Sequence, residues 1–324
     1  MRRIIFRADA DATIGFGHFI RTLALADILK DEYLCLFVTT NPTLYQIKEI
    51  EKICECIPLS TAWSKRFLAM IEEDDIVVLD NYFFSSETQK DIKEKGAKLV
   101  CIDDLHDRHY YADAIINHSL NVSSDLYSAE PYTRFYFGLQ YSLLRKPFLN
   151  AIKARPKHWK DKSQMKIVIS FGAADPLNLI DIYINAIAVL PNVESIEAIV
   201  GEKEDNLMNK IPKVKFRRNL SADSICKVFK RNDVAILSAG MIIREALACG
   251  IYVIGGYFVK NQIENYQGFV DANAIKGIGD MRKESAIAQT TELLSDKSLF
   301  MQQPQKNLFP TNIQENLLQI FRAL

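Results

Sequence analysis

Neither sign of charge is in excess in this chain: 40 Lys and Arg stand against 40 Asp and Glu over 324 residues. A zero balance leaves no electrostatic footprint for nucleic acid or an anionic membrane, although a local basic site for phosphates stays open. Long apolar runs are missing as well. The longest reach a handful of residues, far short of the roughly 18 of a membrane span. A signal peptide needs an unbroken apolar core, and Arg7 and Asp9 interrupt the N-terminal stretch, so none is expected. Cysteine is sparse. Of Cys35, Cys54, Cys56, Cys101, Cys226 and Cys249, only Cys54 and Cys56 are close, and no histidine follows at zinc-site spacing. Most of the others sit in apolar surroundings, as free buried thiols do. The expectation is a cytoplasmic, reduced protein. Also absent are a Gly-x-Ser-x-Gly elbow, a Walker loop and a His-Glu-x-x-His helix, and the serine hydrolase and P-loop readings fall away.

What is present is alternation. Arg3–Ala8 and Leu34–Thr39 have strand character, with apolar residues at helical spacing between them over Phe19–Lys30. Strand Ile76–Asp80 follows, then a helix opened by Ser85-Ser86 with Gln89 at capping-box distance, then strand Lys98–Ile102. This βαβαβ series implies a parallel sheet covered on both faces. Residues 150–165, with Pro156 and the run Lys157-His158-Trp159-Lys160-Asp161-Lys162, form the best linker candidate. A second series starts at strand Lys166–Phe171. Helix Asn178–Leu190, strand Ser195–Val200, helix Ala222–Arg231, strand Val234–Ser238, helix Ile242–Cys249, strand Tyr252–Gly255 and a helix from Gln262 continue it. The expected architecture is α/β: two doubly wound parallel-sheet domains, residues 1–150 and 163–310, facing each other across a cleft. The closing segment, 311–324, is a candidate helix for packing back on the first domain.

Ligands of such sheets bind at the carboxyl ends of the strands, which selects the loops after Ala8, Asp80, Phe171 and Ser238. After Ala8 the chain reads Asp9-Ala10-Asp11-Ala12-Thr13-Ile14-Gly15-Phe16-Gly17-His18. Gly15 and Gly17 allow close backbone approach, and the helix that follows offers free N–H groups. The dinucleotide fingerprint is not met, since the third glycine and the downstream strand-end acid are out of register. His18 at the helix start suits a base; its bland reading is a helix cap. Ser238-Ala239-Gly240 before a helix would let a diphosphate sit on that helix start, with Glu245 as an acceptor for ribose hydroxyls; a tight turn of small residues is the bland alternative. Asn261-Gln262 adds two amides. Asp103-Asp104-Leu105-His106-Asp107-Arg108-His109 has metal-site residue types, but a turn with capping carboxylates is the better reading. Asp80-Asn81-Tyr82 ends a buried strand, and Phe171-Gly172-Ala173-Ala174-Asp175-Pro176 ends the first strand of the second series, where it could clamp phosphate or sugar.

Together these segments resemble a known family. The opening Arg-Ala-Asp-Ala…Ile-Gly-Phe-Gly-His…Arg-Thr-Leu-Ala-Leu-Ala run is similar to that of the UDP-2,4-diacetamido-2,4,6-trideoxy-β-L-altropyranose hydrolases of pseudaminic acid biosynthesis. Asp80-Asn81-Tyr82, Cys101–Leu105, Gly138–Arg145, Phe171–Pro176, Ala239–Leu247 and Asn261-Gln262 follow in order, so the likeness runs from residue 3 to about 270. Thr22 stands where the family usually has cysteine, Gly172-Ala173-Ala174-Asp175 replaces its Gly-Gly-x-Asp, and Met241 replaces a small hydroxyl residue. The resemblance implies a GT-B fold like that of the peptidoglycan N-acetylglucosaminyltransferase. It also implies hydrolysis of the UDP-sugar with inversion at C1, releasing UDP and the free sugar. By the same resemblance His18 is the general base, with Tyr82 and Asn261 beside the sugar. Asp9, Gly15, Gly17, Arg21, Tyr141, Gly172, Ala239, Gly240, Glu245 and Gln262 are the implied substrate contacts. No cofactor, metal, nucleic acid or membrane partner is called for; the partner is the small UDP-sugar. Two rivals share these features: a GT-B glycosyltransferase with a UDP-sugar donor, and a non-catalytic sugar-nucleotide binder in which His18 is structural.

Overall fold

A computed structural model describes residues 1–11, 15–60, 63–153, 164–172, 175, 177–201, 211–296 and 308–324. The chain forms two compact units. Unit 1 holds Met1–Lys146 and Thr311–Leu324; unit 2 holds Pro147–Pro310. Most of the charged stretch read as a linker, 154–163, lies outside the described residues, as do Ala12–Ile14, Ala173, Ala174 and Pro176 of the two loop motifs.

The strands of unit 1 are β1 (Arg3–Ala8), β2 (Leu34–Thr40), β3 (Glu55–Leu59), β4 (Ile76–Asp80), β5 (Lys98–Ile102), β6 (His109–Tyr110), β7 (Ala114–Asn117), β8 (Ser128–Ala129) and β9 (Arg134–Phe137). Seven of them make one parallel sheet in the order β3-β2-β1-β4-β5-β7-β9, and β6 pairs with β8 separately. Helices α1 (Gly17–Leu29), α2 (Leu44–Glu51), α3 (Trp63–Ala69) and α4 (Ser86–Glu94) supply the crossovers that parallel neighbours require. β4 is Ile-Val-Val-Leu-Asp and buried at every position, the composition of a strand covered on both faces. α1 is buried on nearly all sides, because the closing helix of the chain lies against it within unit 1.

In unit 2, α5 (Lys146–Ile152) is followed by β10 (Met165–Ser170), α6 (Leu179–Ile187), β11 (Val193–Ile199), β12 (Val214–Arg217), α7 (Ala222–Arg231) and β13 (Val234–Ser238). Then come α8 (Met241–Ala248), β14 (Tyr252–Tyr257), α9 (Ile263–Asp271), β15 (Lys276–Asp280) and α10 (Glu284–Ser295); α11 (Ile313–Arg322) returns to unit 1. The sheet order is β12-β11-β10-β13-β14-β15. Each sheet therefore reverses direction beside its own first strand, between β1 and β4 and between β10 and β13, where doubly wound sheets take their ligands. The four loops chosen from the sequence lie in two adjacent pairs, since Ala8 registers with Asp80 and Ser170 with Leu237.

Local chemistry departs from expectation at one cap. Gln89 takes no part in a capping box: Ser85 caps α4 by accepting from Thr88 N–H, while the buried Gln89 accepts from the Tyr111 N–H. A full capping box occurs instead at Thr43 and Gln46, opening α2. The α11 return is held by Arg322, paired with Glu32, and by Phe321 edge-on to Tyr33 with ring centroids 6.3 Å apart.

Candidate functional site

The C-terminal edge of unit 1 is built around one carboxylate. Asp80 ends β4 and has no exposed surface. Its Oδ1 accepts from His18 Nδ1 and from Arg21 Nη2, each at 2.7 Å. Its Oδ2 accepts from Arg21 Nε at 2.8 Å and from the Thr22 hydroxyl at 2.7 Å. The donors come from positions i, i+3 and i+4 of α1, which share one helix face. Burial works against charge on Asp80, but the Arg21 guanidinium and His18 beside it hold its carboxyl well below the ordinary range. Arg21 continues the chain, donating from Nη1 to Asp104 at 2.8 Å.

This arrangement decides the histidine tautomer. Arg21 Nη2, a donor only, lies 3.1 Å from His18 Nδ1 but gives its shorter bond, 2.7 Å, to Asp80 Oδ1. If Nδ1 were the acceptor, it would face an ionised oxygen 2.7 Å away with a lone pair. Nδ1 therefore carries the proton and donates to Asp80, leaving Nε2 as the basic nitrogen. The Tyr82 ring stands edge-on to the imidazole, with centroids 4.5 Å apart. His18 does not cap α1: the N-cap position is Phe16, without a side-chain cap, and His18 is the helix's second residue.

Asp9, beside this set, has its carboxylate occupied by Arg7, by the Thr39 hydroxyl and by Thr40 N–H at 2.6 Å. Asn81 accepts from Asp9 N–H at 2.6 Å, tying the ends of β1 and β4 together. Gly15 has φ +81° and open space where a side chain would stand, so only glycine holds this loop without strain while leaving it clear. Gly17 opens α1. Tyr141 lies in a 3₁₀ turn with its ring against Tyr136, 5.4 Å between centroids; among the described residues no hydrogen bond or ring contact joins it to His18. Asp103 accepts from the N–H groups of Leu105 and His106, which is a turn, and Asp104 is committed to Arg21. Among the described residues no group of three or more His, Cys, Asp or Glu is placed to hold a metal ion, and no helix is long and apolar enough to cross a membrane.

The corresponding edge of unit 2 is lined mainly by glycine, alanine and amides, with the charged Asp175, Arg244 and Glu245 behind them. Gly240 is the N-cap of α8 and has no side chain to accept from the first N–H groups of this helix, of which that of Ile243 donates to the Gly240 carbonyl. A Cβ on Gly240 would come no nearer than 3.9 Å to Gln262 Nε2. Gln262 Oε1 accepts from Phe258 N–H at 3.1 Å, which fixes the amide beside Gly240. Ala239 is buried; its N–H donates to the Gly256 carbonyl and its carbonyl accepts from Asn265 Nδ2 at 2.7 Å. Asn261 is exposed in the 3₁₀ turn Lys260–Gln262. Glu245 is 2% exposed, buried in the second turn of α8. Gly172, at φ +91° with open space over it, lies two residues beyond β10, and the Asp175 carboxylate accepts from the N–H groups of Leu179 and Ile180 at the start of α6.

The structure thus gathers His18, Arg21 and Tyr82 into one cluster, with Asp9 and Gly15 nearby, and gathers Ala239, Gly240 and Gln262 into another. The sequence singles out Asp80 and Asp104 only within the Asp80-Asn81-Tyr82 and Asp103–His109 segments, with no role in a cluster, and Thr22 only as a departure from the family; Asn265 it does not single out. Asp80 had a readable signal: a carboxylate closing an otherwise apolar buried strand must be paired, and His18-x-x-Arg21-Thr22 offers three donors on one helix face.

No family model matches the chain. Among curated relatives, an uncharacterized protein of Methanocaldococcus jannaschii is 28% identical over 292 residues; the match covers 83% of this chain and 58% of that protein. The UDP-2,4-diacetamido-2,4,6-trideoxy-β-L-altropyranose hydrolase of Campylobacter jejuni is 26% identical over 273 residues, 80% of this chain and 93% of the enzyme. The chain resembles that hydrolase. A spore coat polysaccharide biosynthesis protein of Bacillus subtilis is 24% identical over 306 residues, 90% of this chain and 89% of its own length. Solved structures extend the likeness at the level of fold. MurG of Acinetobacter baumannii superposes with a TM-score of 0.66 at 12% identity, covering 100% of both chains. The S. aureus MnaA–UDP complex gives 0.69 at 12% identity, covering 100% of this chain and 96% of that one. The fold is GT-B-like, with two α/β units.

Proposed function

We propose that this protein hydrolyses UDP-2,4-diacetamido-2,4,6-trideoxy-β-L-altropyranose, a step of pseudaminic acid biosynthesis, to UDP and the free sugar. The observation that carries the reading is the pairing of His18 with a buried, ionised Asp80 at the ligand-binding edge of a doubly wound sheet. A base is the group that hydrolysis at an anomeric carbon needs and a mere binder does not. Similarity to the Campylobacter jejuni enzyme supports the choice of substrate.

In this reading His18 Nε2 takes a proton from water as the oxygen bonds to C1. The C1–O bond to the diphosphate breaks with its electron pair, and the configuration at C1 inverts. Tyr82, packed against the imidazole, contacts the sugar. In unit 2, taken by itself, the start of α8, Gly172 and the Gln262 amide are the groups suited to the negative charge of UDP. Glu245 is the acceptor assigned to the ribose.

The test is turnover of this UDP-sugar in ¹⁸O-labelled water without any acceptor. Label in the free sugar and none in UDP is the expected result. Label in UDP would mean attack at phosphorus and would overturn the role of His18. Absence of turnover until a carbohydrate acceptor is added would replace the hydrolase by the transferase reading. UDP binding with no turnover of any UDP-sugar would leave a binder.

A further inference from the structure

We infer that Asp80 is a positioning residue that holds His18 in the Nδ1–H tautomer, and that Arg21 and Thr22 exist on this helix face to keep Asp80 from turning away. The inference rests on the proposal that His18 is the base. Its contribution is to say why the base is competent, and it adds a residue that the resemblance does not assign.

The geometry makes the pairing specific. A neutral imidazole carries one proton, and on the wrong nitrogen the basic atom would face the protein interior. Asp80 is acceptor-only while ionised, so it admits Nδ1–H and rejects a bare Nδ1. A carboxylate free to rotate would enforce this poorly. Here Oδ1 also receives Arg21 Nη2, and Oδ2 receives both Arg21 Nε and the Thr22 hydroxyl. The guanidinium spans both oxygens as a fork, and its remaining Nη1 is anchored on Asp104. Rotation of Asp80 would break three bonds at a position with no exposed surface.

The side-chain amide introduced by Asp80→Asn could not reproduce this. One of its two ends is NH₂, and Arg21 presents a donor to each end. With the NH₂ at the Oδ2 position it meets Arg21 Nε. At the Oδ1 position it meets Arg21 Nη2 and donates to His18, selecting the tautomer with the proton on Nε2. Either placement forfeits part of the cluster, and the second removes the base.

The experiment uses the full-length protein with ¹⁵N-labelled histidine. Five histidines are present, so the His18 ring signals are assigned by their loss in His18→Gln. At a pH where the ring is neutral, the wild type is expected to show a protonated Nδ1 and a bare Nε2. In Asp80→Asn the fraction of rings that keep Nδ1–H is expected to fall, since one of the two amide placements turns its NH₂ toward His18, and kcat is expected to fall by about 10²- to 10⁴-fold while KM moves less than about threefold. A wild-type ring protonated on Nε2 overturns the inference whether or not Asp80→Asn folds. So does an Asp80→Asn protein with an altered tautomer and wild-type kcat. The ring measurement needs no substrate, so failure of the hydrolase reading would appear separately, as lack of turnover by a wild type whose His18 has the expected proton.

Discussion

The two units share a strand order and, beside the first strand of each, the switch point where doubly wound sheets take their ligands, yet they fill that edge with opposite chemistry. In unit 1 the strand ends bring together Arg7 with Asp9, and His18, Arg21 and Thr22 with Asp80 and Asp104, nearly all of them buried. In unit 2 the same topological position holds Gly172, Ala239, Gly240 and the amides of Gln262 and Asn265. The fold supplies the place and the side chains supply the chemistry. Buried opposite charges around an imidazole suit movement of a proton. An uncapped helix start with no side chain in the way suits a ligand that brings its own negative charge.

The comparison breaks first if the base and the nucleotide site are not separable. His18→Ala should lower turnover of the UDP-sugar by about 10³-fold, the scale of a lost general base. UDP affinity, measured by titration calorimetry, should stay within about threefold, because the start of α8 is untouched. Equal losses in both would mean that the histidine serves binding rather than proton transfer.

The reverse substitution probes unit 2. Gly240 has ordinary φ, and a Cβ there meets nothing closer than 3.9 Å, so Gly240→Val should fold normally. Its side chain would occupy the space over the first N–H groups of α8. The expected result is a rise in the Kd for UDP of about tenfold, worth about 1.4 kcal/mol, with melting temperature nearly unchanged. Unaltered UDP binding would remove the helix start from the nucleotide site.

These two edges were not equally legible in the sequence. Strands such as Ile76–Asp80 and Val234–Ser238 stand out because their β-branched apolar runs end abruptly in a polar or small residue, and helix Ala222–Arg231 because Ser221 caps it and its apolar residues keep a helical period. His18, Gly15 and Gly240 were visible because loops after strands are where ligands bind. The Asp80 cluster is legible only in pieces, since its members come from α1, β4 and the loop after β5, and only the sheet order brings Asp104 beside Arg21. No strand or helix is expected from the sequence over residues 41–75, although Thr43 and Gln46 carry the spacing of a capping box. The misplaced role of Gln89 has the opposite cause: a capping pattern was present, but burial gave the side chain a better partner in Tyr111 N–H.

The smallest expected effect contrasts how the two units hold a buried carboxylate. Glu197 in β11 is the counterpart of Asp80, though it lies away from the edge. It accepts from Arg217 Nε at 2.8 Å, from Arg231 Nε at 2.7 Å and from Asn232 Nδ2 at 3.1 Å. Burial opposes its charge, but the hydrogen bonds from Arg231, Arg217 and Asn232 bring its pKa down to about 2 from an ordinary 4.5. A carboxyl lowered on folding stabilises the protein above its unfolded pKa, and that contribution is lost as pH falls from about 4.5 towards 2. The arginines on Glu197 are 38% and 49% exposed, whereas Arg21 on Asp80 is 6% exposed. Solvent therefore screens the first set and not the second, and Glu197→Gln should cost only about 1 kcal/mol at neutral pH. Thermal melts of variant and wild type should converge as the pH approaches 2. A gap that persists unchanged into acid would show that Glu197 contributes through packing rather than through its charge.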